Sequence, residues 1–205
     1  PVARRVPRLK RPGQRRGGVG DAVAALASYR KSLAISEEAL SAVPAHDAGR
    51  RNLALSCHKV GNALISAGDL QGAFDHHRRA LALREVLLAE NPTVRARREV
   101  SISYERLGKV RRRMGDLAGA LDFALKSLAL SEDLSAADSN NAEARRDVGV
   151  GYQDVGMIKM AMADLPGALA EFRKSLAIDQ AMAAADPKNA GAQRDVAASH
   201  STVGA

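Results

Sequence analysis

Four stretches of the chain align without gaps at a nearly constant spacing, and this repetition restricts the fold more than any other feature. GDAVAALASYRKSLAI begins at Gly20, GDLQGAFDHHRRALAL at Gly68, GDLAGALDFALKSLAL at Gly115 and ADLPGALAEFRKSLAI at Ala163. Their starts lie 48, 47 and 48 residues apart. A second set interleaves with the first: RRNLALSCHKVGNALISA from Arg50, RREVSISYERLGKVRRRM from Arg97, RRDVGVGYQDVGMIKMAM from Arg145 and QRDVAASHSTVGA from Gln193. Two motifs sharing one period define a supersecondary unit that cannot bury its apolar face alone, so successive units must stack in a row.

Each unit reads as two helices. In the first, Leu53, Val60 and Leu64 recur at helical spacing around Gly61. The Gly-Asp pair then predicts a tight turn, since glycine adopts the left-handed conformation freely and aspartate caps the next helix. Pro166 falls in the first turn of its helix, where a missing N–H costs nothing. The second helix is expected to end near Val43-Pro44, Asn91-Pro92, Ser139-Asn140 and Asp186-Pro187. The one-residue difference in period is placed in the connection around Asn91-Pro92. The expected elements are a second helix at 20–43, hairpins at 48–90, 94–138 and 142–185, and a lone first helix at 190–205.

Small residues hold fixed columns through the repeats: Ala25, Ala73, Ala120 and Ala168; Ser32, Ala80, Ser127 and Ser175; Gly61, Gly108 and Gly156. Such columns let helix axes approach closely, while Leu33, Leu81, Leu128 and Leu176 fill the space between layers. Aromatics make up 3% of the chain and Trp is absent, so an Ala, Leu, Val and Ile core of packed helices is expected rather than a sheet. The fold class is all-α, an α-solenoid of antiparallel helical hairpins spanning 20–205 as one unit.

These columns resemble the tetratricopeptide repeat family in a long-period form of about 48 residues. The family has a bulky residue four before a glycine, then Leu-Gly, then small residues around an aromatic in the second helix. Tyr104 and Tyr152 take the bulky position, with Cys57 and His200 in the other copies. Val60-Gly61, Leu107-Gly108, Val155-Gly156 and Val203-Gly204 take the Leu-Gly position. Tyr29 and Phe172 take the aromatic position, from which His77 and Ala124 depart. The usual period is about 34 residues, so longer helices are expected here. The resemblance implies a right-handed superhelix whose first helices line a concave groove that takes peptides.

Carried over by position, the groove residues are His58, Asn62, Glu105, Lys109, Arg112, Arg113, Gln153, Met157 and Met160, with Ile65, Ser66 and Ala161 beside them. Lys109, Arg111, Arg112 and Arg113 crowd one helix end. They read either as a solvated turn favoured by the helix dipole or as a contact for an acidic or amphipathic peptide. Some family members clamp a terminal carboxylate with Lys, Asn and Arg. Asn62 matches one clamp position, but His58, Val150 and Asp154 stand where cations are required, so that ligand is not expected.

The net charge of +8 is concentrated in one segment. Residues 1–19 hold seven cations and no acid, leaving 24 of the 31 basic residues against 23 acidic ones. That segment reads as a disordered or degenerate first helix, and contact with nucleic acid or an anionic surface through it is the alternative to the scaffold reading. Nucleic acid is otherwise not expected, since the segment has no aromatic for base stacking. The one cysteine, Cys57, excludes an internal disulfide and fits a reducing, cytoplasmic and bacterial setting. No apolar run approaches the roughly 18 residues of a membrane span.

No catalytic constellation emerges, and no metal or cofactor is expected. His76 and His77 are adjacent, so on a helix they point about 100° apart and cannot share a ligand. Gly17-Gly18-Val19-Gly20 follows no strand and precedes no Gly-Lys-Ser/Thr, so it is not a phosphate loop. The chain is expected to be a fragment of a longer, non-enzymatic scaffold. Self-association through an uncapped C-terminal helix is left open.

Overall fold

A computed structural model of the chain describes residues 19–44 and 46–204. The regular elements among them are α1 (Val19–Ala42), α2 (Asp47–Ala67), α3 (Leu70–Glu90), α4 (Val94–Arg113), α5 (Leu117–Ala137), α6 (Ala142–Ala161), α7 (Leu165–Ala185) and α8 (Ala190–Gly204). The reading of residues 1–19 as a disordered or degenerate helix falls, apart from Val19, outside the described residues.

Short turns join α2 to α3, α4 to α5 and α6 to α7 as hairpins. Each second helix then packs on the first helix of the next unit, and α4 also touches α6 directly. The helices run 20 or 21 residues from α2 through α7, about 30 Å at 1.5 Å per residue. The connection between α3 and α4 has three residues (91–93) where its counterparts have four, which locates the shorter period there.

The hairpin turns show why Gly-Asp recurs. Gly68 and Gly115 sit at φ 84° with open space where a Cβ would stand. The amides of Asp69, Asp116 and Asp164 bond back to Leu64, Arg111 and Lys159 at 3.0, 3.0 and 2.9 Å, closing the last helical turn as a Schellman motif. Ala163 holds the same place at φ 64°, a conformation that costs a residue with a Cβ about 1–2 kcal/mol. The three aspartates cap the second helices through the amides of Gly72, Gly119 and Gly167 at 2.8, 2.9 and 2.9 Å. Thr93, Asn141 and Asn189 cap the first helices in the same way. In the first copy the pair makes no turn: α1 starts at Val19 and both Gly20 and Asp21 are helical. The dipeptide permits a turn without imposing one, because glycine is tolerated in a helix at about 1 kcal/mol.

The small-residue columns form the interior. Ala73, Ala120 and Ala168 are buried, as are Ala80, Ser127 and Ser175, with Leu33, Leu81 and Leu128 between the layers. Leu176 is half-buried, and on α1 Ala25 is half-buried and Ser32 exposed. The glycine column serves close approach: a Cβ on Gly61 would stand 2.8 Å from the His77 ring, and one on Gly156 2.5 Å from the Phe172 ring. His77, which departs from the aromatic pattern by type, fills the aromatic slot as a flat buried ring. With Ala124 in that slot the backbone itself comes close: a Cβ on Gly108 would stand 3.2 Å from the Ala120 carbonyl oxygen and 3.5 Å from the Ala124 nitrogen.

Candidate interaction face

The residues singled out from the sequence lie on successive first helices. His58, Glu105 and Gln153 form one column on α2, α4 and α6; Asn62, Lys109 and Met157 form the next, one turn on. Arg112 and Met160 share a third column, and Arg113 stands beside them. Met160 and Arg113 are exposed and the other seven half-buried. The structure gathers some of them and leaves the rest apart.

Glu105, Lys109 and Arg112 meet at a shallow depression over Ala124 and Gly151, with Asp154 on its far wall. Its ≈ 10 Å³ has room for about one water. The Lys109 ammonium lies 2.5 Å from Glu105 and 3.2 Å from Asp154, so two carboxylates share its charge. Burial pushes the Asp154 carboxyl above its usual range, and Lys109 opposes that shift. The other cations of the cluster are engaged too. Arg111 pairs with Asp116 at 3.1 Å and lies 4.0 Å over the Phe74 ring. Arg113 donates to the Ile65 carbonyl at 3.4 Å. Two of the four cations, Lys109 and Arg111, are therefore paired with acids of the next repeat and of their own turn.

At the N-terminal end, the Asn62 amide lies 3.0 Å from His58 Nε2, and the His58 and His77 rings meet edge to face at 5.3 Å. Burial, with Arg84 and Arg106 nearby, lowers the His58 pKa to about 4. Burial and His58 itself lower that of His77 to about 3. Both rings are neutral at neutral pH, so His58 brings no cation to the face. At the other end Gln153 donates to Ser199 at 3.0 Å.

Two features were not read from the sequence. In two of the three RR pairs the second arginine reaches an acid one repeat later: Arg98 bonds Asp147 at 2.6 Å, and Arg146 pairs with Asp195 at 3.1 Å. This ladder spans α4, α6 and α8, and the recurring Arg-Arg-Asp pattern carried its signal. A polar pair also sits in three of the four seams between a second helix and the next first helix. Ser36 meets Ser56 at 2.9 Å, Arg84 donates to Ser103 at 2.6 Å, and Asp179 accepts from Ser199 at 2.6 Å. The outer rim of two seams is joined by Tyr104 to Glu85 and Tyr152 to Glu132, at 2.8 and 2.5 Å. Among the described residues no helix is long and apolar enough to cross a membrane.

Known proteins share this arrangement. A family model described as tetratricopeptide repeat matches residues 53–92, which is most of α2 and all of α3. A search of curated proteins found no match. Among solved structures, a putative kinesin light chain of Podosopora anserina with nearly identical TPR-like repeats superposes with a TM-score of 0.53 at 14% identity, covering 90% of this chain and 80% of that one. MamA aligns at 15% identity and a TM-score of 0.46 over 91% and 85% of the two chains. BtubC (BKLC) from P. vanneervenii aligns at 14% identity and a TM-score of 0.42 over 89% of each. Residues 53–92 match the tetratricopeptide-repeat model and the same hairpin recurs through α7, so the fold is an α-solenoid of tetratricopeptide-like hairpins.

Proposed function

We propose that the chain is a protein-interaction scaffold, rather than an enzyme, which holds a peptide or protein segment against the face lined by α2, α4, α6 and α8. Repeat solenoids of this type typically serve as such scaffolds. The observation that supports the reading here is a contrast between faces. Three outward columns on the second helices hardly change from copy to copy: Lys31, Arg79, Lys126 and Lys174; Ala34, Ala82, Ala129 and Ala177; Glu37, Glu85, Glu132 and Gln180; others vary, as Arg30, Arg78, Leu125 and Arg173 do. Positions on the first-helix face change chemistry at each step: His58, Glu105, Gln153; Lys59, Arg106, Asp154; Asn62, Lys109, Met157; Ile65, Arg112, Met160. Packing dictates neither set, so a face that differs at every step is the one suited to reading a particular ligand.

An amphipathic segment fits this face better than a purely acidic one. Lys109 and Arg111 are already paired, while Arg112 shares its repeat column with Met160, an adaptable apolar side chain one turn on from Met157. The test is selection of displayed peptides on the purified chain. Peptides so selected lose binding to an Arg112→Glu, Met160→Asp variant and keep it with Leu125→Asp, an exposed change on the second-helix face. The reverse pattern sinks the proposal.

A further inference from the structure

The polar pair differs from one seam to the next, and that difference points to a subsite. In the seam between α3 and α4 the chain seats a guanidinium of its own: Arg84 donates to Ser103 Oγ at 2.6 Å and to the Glu99 carbonyl at 3.2 Å. In the seam between α7 and α8, Ser199 and Asp195 hold the positions of Ser103 and Glu99, but Asp179 stands where Arg84 did. A cavity of ≈ 240 Å³ opens beside it, lined by Arg146, Gly149, Gln153, Asp179, Asp195 and Ala198. Asp179 is 7% exposed, and Ser199 donates to its Oδ2. Gly149 lies beside the other oxygen, with 3.6 Å between Oδ1 and the place a Cβ would take.

The charge in the cavity is unbalanced. Two carboxylates face one cation, and that cation, Arg146, is bound to Asp195 at 3.1 Å. Burial and the neighbouring Asp195 push the Asp179 carboxyl above its usual range, as befits an anion without a partner of its own. We propose that this cavity is a subsite for an arginine side chain of the bound segment, with its guanidinium paired to Asp179 Oδ1 beside Asp195 and Ser199. The seam at Arg84 supplies the internal template, and a planar fork of donors matches a carboxylate flanked by a hydroxyl. The subsite rests on the scaffold reading and names the residue type accepted at the C-terminal end of the face.

The probe is N-acetylarginine methylamide, titrated into the isotope-labelled full chain while backbone amide resonances are followed. The expected result is saturable shifts at Gly149, Gln153 and Ser199. N-acetylcitrulline methylamide, of the same shape without charge, binds at least about tenfold more weakly. Asp179→Asn removes the discrimination. Should that variant not fold, the comparison of the two compounds on the unaltered chain decides alone. Equal shifts with both compounds, or shifts confined to other residues, overturn the subsite. Peptides captured by the first-helix face without any preference for arginine also overturn it and leave the scaffold standing. Arginine-specific shifts at Gly149, with no peptide captured by that face, uphold the subsite and overturn the scaffold.

Discussion

Gly156 provides the sharpest test of how the hairpins close. In an ordinary helix, replacing glycine by alanine stabilises by up to about 1 kcal/mol. At Gly156 the new Cβ would stand 2.5 Å from Phe172 Cε1 and 2.7 Å from Cδ1, on a ring only 5% exposed. The ring is packed on all sides, so α6 and α7 must part, and overpacking of this kind costs about 1–3 kcal/mol. The helix gain offsets part of that, leaving Gly156→Ala destabilised by about 1–2 kcal/mol. Phe172→Ala alone costs about 3–5 kcal/mol. In its background the ring clash is gone, and the cost of Gly156→Ala falls toward zero. Urea unfolding of the parent, both single variants and the double variant gives the coupling, expected at about 2 kcal/mol. The same penalty for Gly156→Ala in both backgrounds would refute the glycine-to-ring packing.

Other consequences follow from the buried histidines and the strained turn. Because the folded pKa of His77 lies near 3, its contribution is complete above the unfolded value and is lost as pH falls from about 6.5 toward 3. Stability should drop by about 2 kcal/mol from this ring between about pH 7.5 and about pH 5, with less from half-buried His58. A His77→Phe variant, which copies the Phe172 arrangement, should lose most of this pH dependence in paired denaturant melts; an unchanged dependence counts against the assignment. Ala163→Gly should raise the melting temperature, since relief of the left-handed alanine (about 1–2 kcal/mol) exceeds the added unfolded-state entropy of about 0.4–1 kcal/mol. Gly115→Ala should act in the opposite direction, and equal effects at the two turns would contradict their shared geometry.

The architecture was legible because packing imposes the same residue wherever the geometry repeats. Ala73, Ala120 and Ala168, or Gly61, Gly108 and Gly156, are constant since a larger side chain has nowhere to go. His77 shows the limit of that logic: by residue type it breaks the aromatic pattern, yet its ring fills the slot that Gly61 opens. The positions of the first-helix residues were legible, whereas the partners of their charges were not. Lys109, Arg111, Arg112 and Arg113 form a cationic run along one helix, whereas Asp154, which shares Lys109, comes from a repeat later. The seam pairs were invisible for a related reason. Ser36, Arg84 and Asp179 share only polarity, and their pairing with Ser56, Ser103 and Ser199 exists only once the layers are stacked.

The central claim is that a ligand segment lies along the first helices. Amide hydrogen exchange of the full chain, with and without a selected peptide, tests it most directly. The account predicts added protection in α4 and α6, extending to α2 or α8, with the outward side of α3, α5 and α7 unchanged. Protection concentrated on α3, α5 and α7, with α4 and α6 exchanging as before, would contradict it.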